Sequence, residues 1–114
     1  MFNFFKKKPS KTIHLTDQTW DNEITNFKGV AIVDVWAIWC APCKILGPII
    51  DEIANEIKSE VKICKLNSEQ NKKSHDLGIR SVPTLLIYKD GELVDKIVGL
   101  ISKNDIIATI ESHI

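Results

Sequence analysis

Cysteine, net charge and long apolar runs are all scarce in this sequence. The 114 residues include three cysteines, Cys40, Cys43 and Cys64, whereas small secreted scaffolds usually carry a larger, even number. Fifteen basic residues balance fifteen acidic ones, which argues against nucleic acid or an anionic membrane as a bulk electrostatic partner. No apolar run approaches the length of a membrane span, so we expect no stable membrane insertion. A count of three cysteines agrees with a reducing compartment, in which thiols are not locked in disulfides, so we expect a cytoplasmic protein.

The remaining composition fits one ordinary domain. Apolar residues make up 44% of the chain, which is enough for a continuous core at this length. The first ten residues differ, because four apolar residues among the first five precede a run of three lysines. A secretory signal has the reverse order, with charge before a longer apolar stretch. We therefore predict a loosely held tail over residues 1–10, with a weak amphipathic contact as the alternative, and a single domain over residues 11–114.

Hydrophobic periodicity predicts alternating strands and helices. Short apolar, β-branched or alternating runs predict strands at residues 11–15, 30–39, 61–67, 83–89 and 92–99. Helical spacing and capping residues predict helices at residues 16–27, 40–60, 68–78 and 102–114. Asp90 and Gly91 predict a tight hairpin turn. The order β-α-β-α-β-α-β-β-α predicts an α/β fold with a central mixed five-stranded sheet and helices on both faces.

The segment WAIWCAPCK places Cys40 where an apolar strand ends and Cys43 one turn into the next helix. Unpaired N–H groups at a helix N-terminus stabilise a thiolate, so we expect a lowered pKa for Cys40. Pro42 suits an early helical position, where its missing donor costs little. We expect Cys43 to be the more buried of the two and near enough to reach the other sulfur. An exposed attacking thiolate with a sheltered second thiol suits thiol–disulfide exchange.

Two other interpretations of this cysteine pair compete. A zinc site needs four ligands, usually as two such pairs. Because Cys64 and the three histidines are not at ligand spacing, we predict no metal site. Two inert cysteines are the other alternative, since free cysteine packs as a small hydrophobe. The cysteine pair lies at a strand-to-helix junction beside Trp39 and Pro42, and this position favours a reactive pair of thiols over an inert one.

Asp34 interrupts the apolar strand six residues before Cys40. A carboxylate in a strand that is covered on both faces is costly to bury, and its pKa should rise. Groups with such shifted pKa values often take part in catalysis. We predict that Asp34 accepts the proton of Cys43, directly or through a water. The structural alternative is an ion pair, with Lys65 as the partner that would tune Asp34. Cys64 is predicted to pack in the core, with a regulatory thiol as the alternative.

Several further motifs extend this pattern along the chain. From about Lys11 to the C-terminus the sequence contains IHLTD, VDVWAIWCAPCK, GPIIDEIA, KLN, LGIRSVPTLLIYKDGE and the pair Val98-Gly99. In this order they resemble the thioredoxin family over nearly the whole chain. The resemblance implies the thioredoxin fold and a protein disulfide reductase. Such an electron carrier binds no cofactor and cycles between a dithiol and a redox-active disulfide.

The resemblance also implies roles for individual residues. Cys40 would be the attacking nucleophile and Cys43 the resolving thiol, with Asp34 as the buried carboxylate and Lys65 as its partner. Pro83 would be a cis-proline that faces the cysteines. A groove that binds the target as an extended strand would be lined by Trp39, Ala41, Pro42, Val82, Pro83 and Gly99. The implied partners are disulfide-containing proteins and a flavin-containing, NADPH-dependent thioredoxin reductase, and we expect a monomer.

The sequence departs from the family pattern beside the cysteines. The dipeptide between them is Ala41-Pro42 where Gly-Pro is usual, and Ile38 stands where many members carry a polar or charged residue. Alanine is favoured over glycine in a helix by up to ~1 kcal/mol. Since about 1.4 kcal/mol corresponds to about 30 mV for a two-electron couple, a modest change of potential is expected. Two other functions compete on the sequence: an oxidase or isomerase, and a binding subunit that uses the same groove without turnover.

Overall fold

The computed structural model describes residues 11–57 and 60–114, so the tail predicted at residues 1–10 lies outside the described residues. Within these ranges the strands are β1 (Ile13–Leu15), β2 (Val30–Trp36), β3 (Lys62–Asn67), β4 (Thr84–Lys89) and β5 (Glu92–Val98). The helices are α1 (Ala41–Glu56), α2 (Lys73–Asp76) and α3 (Lys103–Glu111), and a π-helical turn spans Asp21–Thr25. None of the helices in the described ranges has both the length and the apolar character that a membrane crossing requires.

The strands form one mixed sheet in the order β1-β3-β2-β4-β5. β1, β3 and β2 are parallel, β4 is antiparallel to β2, and β5 is antiparallel to β4. The turn between β4 and β5 consists of Asp90 and Gly91, whose φ angles are 52° and 83°, as a two-residue type I′ turn requires. The predicted α/β fold, with parallel early strands and a late antiparallel hairpin, is therefore confirmed.

Helical segments cover both faces of the sheet. On one face, α1 and α3 pack Leu46 and Ile110 against Ile32 of β2. On the other face, Ile24 of the π-helical turn packs against the opposite side of the same strand. Because β2 is covered twice, its sequence is a nearly continuous apolar run. Side chains alternate along a strand, so Asp34 points to the α1 face, as Ile32 does.

The first predicted helix, over residues 16–27, is reduced to the short π-helical turn. The N–H of Thr16 donates to Oγ1 of Thr19 at 2.9 Å, and the N–H of Thr19 donates to the Thr16 carbonyl at 3.2 Å. Local hydrogen bonds of this kind compete with helical ones. The predicted start of the helix at Thr16 is therefore wrong, since the π-helical turn begins after Trp20 with no side-chain cap.

The Asp17 carboxylate caps a distant helix instead. It accepts the backbone N–H groups of Lys72 and Lys73, each at 2.9 Å, at the start of α2. α2 is shorter than the predicted helix over residues 68–78. The reason is Asn67, whose Oδ1 accepts the N–H groups of the two residues after Ser68 and holds that stretch in a turn.

Candidate active site

Cys40 and Cys43 form a disulfide at the N-terminus of α1. Cys40 is the N-cap residue, with the extended backbone of the segment that leaves β2, and Ala41 and Pro42 begin the helix. Proline is tolerated here because a first-turn N–H would have no helical partner. Sγ of Cys40 accepts the backbone N–H of Cys43 at 3.2 Å. This sulfur therefore occupies the position of an N-cap oxygen, at the positive end of the helix dipole.

The two cysteine residues do not differ in exposure, contrary to the sequence prediction. Cys40 is 3% exposed and Cys43 is 4% exposed, and Trp36 and Val82 pack against the cluster that the two cysteines form with Ala37. The prediction of an exposed Cys40 beside a more buried Cys43 is wrong for the disulfide state. Their environments differ instead, since Cys40 caps the helix and Cys43 lines a pocket that opens to solvent beside Ile38 and Lys44.

The loop before β4 faces Cys40. The peptide bond between Val82 and Pro83 is cis, as the resemblance implied, and the Val82 carbonyl oxygen lies 3.6 Å from Sγ of Cys40. The N–H of Gly99 donates to the Pro83 carbonyl at 2.9 Å, which holds the end of β5 beside this loop. Gly99 has a φ of 97°, in the left-handed region that favours glycine.

The surface around the disulfide is apolar and open to solvent. Trp39 is 69% exposed and Ile38 is 65% exposed, and Ala41 and Pro42 are exposed as well. Exposed large apolar side chains next to a reactive group are typical of an interaction surface. The residues predicted to line the groove therefore lie on the loop before α1, in the first turn of α1, on the loop before β4 and directly after β5.

Asp34 is the most unusual polar side chain of the site. It is 1% exposed, and neither carboxylate oxygen has a hydrogen-bond partner among the described residues. Burial raises the pKa of Asp34 from 3.8 to about 7, while the positive charge of Lys65 lowers it and the negative charge of Asp51 raises it. A carboxyl group with such a pKa gains and loses its proton near neutral pH, as a general acid or base must.

A cavity of about 220 Å³ connects Asp34 with Cys43. Its volume is enough for several water molecules. The Cys43 and Asp34 side chains therefore line one space that has room for water. The rest of the lining comes from the strands, from Ala37 and Ile38 of the loop before α1, and from α1 itself, and it includes His14, Trp36, Lys44, Gly47, Asp51 and Lys65.

Lys65 lies beside Asp34 in the sheet but does not pair with it. The two residues are register partners on β3 and β2. The Lys65 Nζ lies 3.0 Å from Oδ1 of Asp51 on α1, and Oγ1 of Thr12 donates to that same oxygen at 2.7 Å. The ion pair between Asp34 and Lys65, which was the structural alternative to a functional Asp34, is therefore not formed, and the lysine acts on Asp34 at longer range.

Asp51 is the residue of this site that sequence analysis missed. A signal was available, since Cys43, Gly47 and Asp51 follow one another at four-residue steps. That spacing puts them on one face of a helix. The sequence could not show whether Lys65 pairs with Asp34 or with Asp51, because the pairing depends on how α1 lies across β3.

Cys64 takes no part in this cluster. It is fully buried among the side chains on the opposite face of the sheet and forms no disulfide. Burial raises the pKa of Cys64 to about 12, and the negative charge of Glu23 contributes in the same direction. The predicted core packing of Cys64 is confirmed.

Comparison with known proteins agrees with this geometry. The Thioredoxin family model matches residues 11–112. Thioredoxin 2 of Chlorobaculum tepidum is 45% identical over 105 residues, which cover 91% of this chain and 96% of that protein. Thioredoxin 1 of Nostoc sp. is 38% identical, over 92% of this chain and 99% of that protein.

A solved thioredoxin structure also has the same fold as this chain. A point mutant of a thioredoxin from Halobacterium salinarum superposes with a TM-score of 0.80 at 28% identity, over 94% of this chain and 95% of that one. Thioredoxins carry no cofactor and work through a redox-active disulfide, and the Cys40–Cys43 disulfide fits their C-x-x-C motif. The chain therefore belongs to the thioredoxin family, and it is a protein-disulfide reductase that carries electrons between thiols and disulfides.

Proposed function

We propose that Cys40 is the attacking nucleophile of this reductase and Cys43 the resolving thiol. The observation that carries the assignment is the hydrogen bond from the Cys43 N–H to Sγ of Cys40, at the N-terminus of α1. In the reduced protein the same N–H and the helix dipole stabilise a thiolate on Cys40. Cys43 does not cap the helix and lines the same pocket as Asp34, which suits a thiol that loses its proton in the second step.

The reaction then consists of two exchange steps. The Cys40 thiolate attacks one sulfur of a target disulfide, the target S–S bond breaks, and one target thiolate leaves as the mixed disulfide forms. The Cys43 thiol next loses its proton, and its thiolate attacks Sγ of Cys40. The mixed disulfide breaks and the second target thiolate leaves. Both target thiolates take up protons, so the target gains two electrons and two protons while Cys40 and Cys43 become a disulfide.

We assign the proton acceptor of the second step to Asp34. Its carboxylate is buried, has no hydrogen-bond partner among the described residues, and shares a cavity with Cys43. A base with a pKa of about 7 is well matched to neutral pH, where an ordinary aspartate would be too weak a base. Lys65 would tune Asp34 by its positive charge without binding it.

The target would bind along the apolar surface around the disulfide. Trp39, Ala41 and Pro42 would form one wall, and Val82 and Pro83 the other, with Gly99 at the end. The backbone groups of the loop before β4 would pair with a target in extended conformation. The exposed Trp39 and Ile38 support this assignment, since a target could cover both.

The oxidised protein needs a source of electrons. The family implies a reductase as partner, and we propose a flavin-containing thioredoxin reductase that draws on NADPH. We further propose a cytoplasmic monomer with one folded unit over residues 11–114 and a tail over residues 1–10. A family member that reduces target disulfides repeatedly must itself be reduced again, and a reducing compartment supplies the electrons.

Two kinetic measurements test these assignments. Insulin reduction in the presence of NADPH and a bacterial thioredoxin reductase should depend on both cysteines, and an inactive wild-type protein would refute the reductase route. Rapid mixing of the reduced protein with a disulfide peptide separates attack from resolution. Asp34→Asn should slow resolution by Cys43 by about 10²-fold or more and attack by Cys40 far less. If both steps slow equally, Asp34 is not the proton acceptor.

A further inference from the structure

Lys65 contacts the less buried of two carboxylates. Asp34 is almost fully buried, whereas the side chain of Asp51 is 38% exposed and that of Lys65 12% exposed. A buried carboxylate without partners gains more from an adjacent ammonium than a partly solvated one does. The observed pairing of Lys65 with Asp51 therefore needs a structural cause.

The cause lies in how Asp51 is held. Oγ1 of Thr12 donates to Oδ1 of Asp51 at 2.7 Å, and the same oxygen lies 3.0 Å from the Lys65 ammonium. The ammonium rests against α1, since a Cβ built on Gly47 would lie 3.6 Å from Nζ. Three groups thus form the cluster: the hydroxyl of Thr12 just before β1, the ammonium of Lys65 on β3 and the carboxylate of Asp51 on α1. They hold the ammonium on the helix side of the cavity.

Other charged groups face the same cavity. Those that line it besides Asp34 are His14 from β1, Lys65 from β3, and Lys44 and Asp51 from α1. Within the described part of the chain, no charged side chain of this lining comes from β4, whose residue opposite Asp34 is Leu85. Since Asp34 has no hydrogen-bond partner among the described residues, Lys65 is the cation best placed to pair with it, because the two are register partners.

We propose that Asp51 is a positioning residue: it holds the Lys65 ammonium away from Asp34 and so keeps that carboxylate available to take the Cys43 proton. The second half of this statement rests on the proposed role of Asp34. Without Asp51, the ammonium would turn to Asp34 and hold it as a carboxylate of low basicity. Such a carboxylate is a weaker proton acceptor for Cys43.

The test follows the ionisation of Asp34 by carboxyl ¹³C NMR over a pH series in the oxidised protein. In Asp51→Asn the titration midpoint of Asp34 should fall by about one pH unit or more, the effect of an opposite charge at close range. Glu52→Gln is the matched control, since Glu52 is the next residue of the same helix but pairs with Lys103 of α3. This control should leave the midpoint where it is in the wild type.

A second pair of variants separates positioning from direct repulsion. The substitution Asp51→Asn is repeated in a Lys65→Met background, where its effect on the midpoint should shrink to less than half. A fall of the same size in both backgrounds would mean that Asp51 acts on Asp34 by its own charge alone, and this would overturn the proposal. An unchanged or raised midpoint in Asp51→Asn would overturn it as well.

The kinetic consequence is read from the pH profile of resolution. In Asp51→Asn the acid limb of the resolution rate should move to lower pH together with the Asp34 midpoint, and the plateau rate should fall. The titration reports the action of Asp51 on Asp34 whether or not Asp34 takes the proton. If the midpoint falls but the resolution profile stays unchanged, the role of Asp34 as proton acceptor fails while the positioning of Lys65 stands.

Discussion

The burial of Asp34 makes the stability of the oxidised protein depend on pH. The pKa of Asp34 is raised from 3.8 to about 7, chiefly by burial, so the folded protein binds its proton more tightly than the unfolded chain does. Between about pH 4 and pH 7 the folded state therefore holds more protons on this group. The contribution of this group to stability must fall as pH rises through that range and level off above it. Replacement by a neutral side chain, Asp34→Asn, removes this dependence.

The size of the effect follows from the two pKa values. A tenfold difference in proton affinity corresponds to about 1.4 kcal/mol, so the change from 3.8 to about 7 corresponds to about 4 kcal/mol. The free energy of unfolding of Asp34→Asn minus that of the wild type should therefore rise by about 4 kcal/mol between pH 4 and pH 8. The comparison across pH cancels any fixed cost of burying the amide, because that cost is the same at both ends.

Urea denaturation, followed by tryptophan fluorescence at a series of pH values, measures this difference. Asp76→Asn serves as the control, because Asp76 is an exposed aspartate on α2 that water solvates in both the folded and the unfolded state. Its difference from wild type should stay flat across the same series. A flat difference for Asp34→Asn as well would refute the argument, and so would a difference that falls with rising pH.

Two further predictions follow from the described structure. Gly78→Ala should cost about 1–2 kcal/mol in urea unfolding, since φ is 74° and a Cβ would meet open space. Gly91→Ala should cost at least twice as much, because its Cβ would clash with the backbone of Thr25; equal losses would contradict this. Cys64, with a pKa of about 12, should react with iodoacetamide at pH 8 only after unfolding, as peptide mass spectrometry can show. Labelling of Cys64 in the folded, reduced protein as fast as Cys40 would refute its burial.

The sheet and the cysteine pair could be predicted because they depend on local rules. β2 follows from a continuous apolar run that is covered on both faces, and the hairpin follows from Asp90-Gly91 between two strands. The Cys40–Cys43 spacing at a strand-to-helix junction indicated thiol–disulfide exchange. Asp34 was conspicuous because a carboxylate in such a strand has no local explanation.

What could not be predicted depends on partners distant in the sequence. Thr16 and Asp17 have the side chains of helix caps, but one makes a local turn and the other caps α2. Lys65 has a register partner in Asp34, yet its ammonium binds Asp51. In each case several partners satisfy the same chemistry, and only the packing of elements against one another selects among them. The equal burial of the two cysteines likewise results from contacts with the loop before β4.

The Asp17 cap makes α2 depend on a distant part of the chain. A helix of four residues, Lys73–Asp76, cannot nucleate alone, because the first turn fixes several residues for a single hydrogen bond. Its first N–H groups are bound by a carboxylate 55 positions earlier in the chain. The capped first turn of α2 therefore depends on the docking of the segment that follows β1, a contact of large sequence separation. The loop that faces Cys40 follows α2 in the chain, so a loss of the Asp17 cap would weaken the support of this loop from a site far from the disulfide.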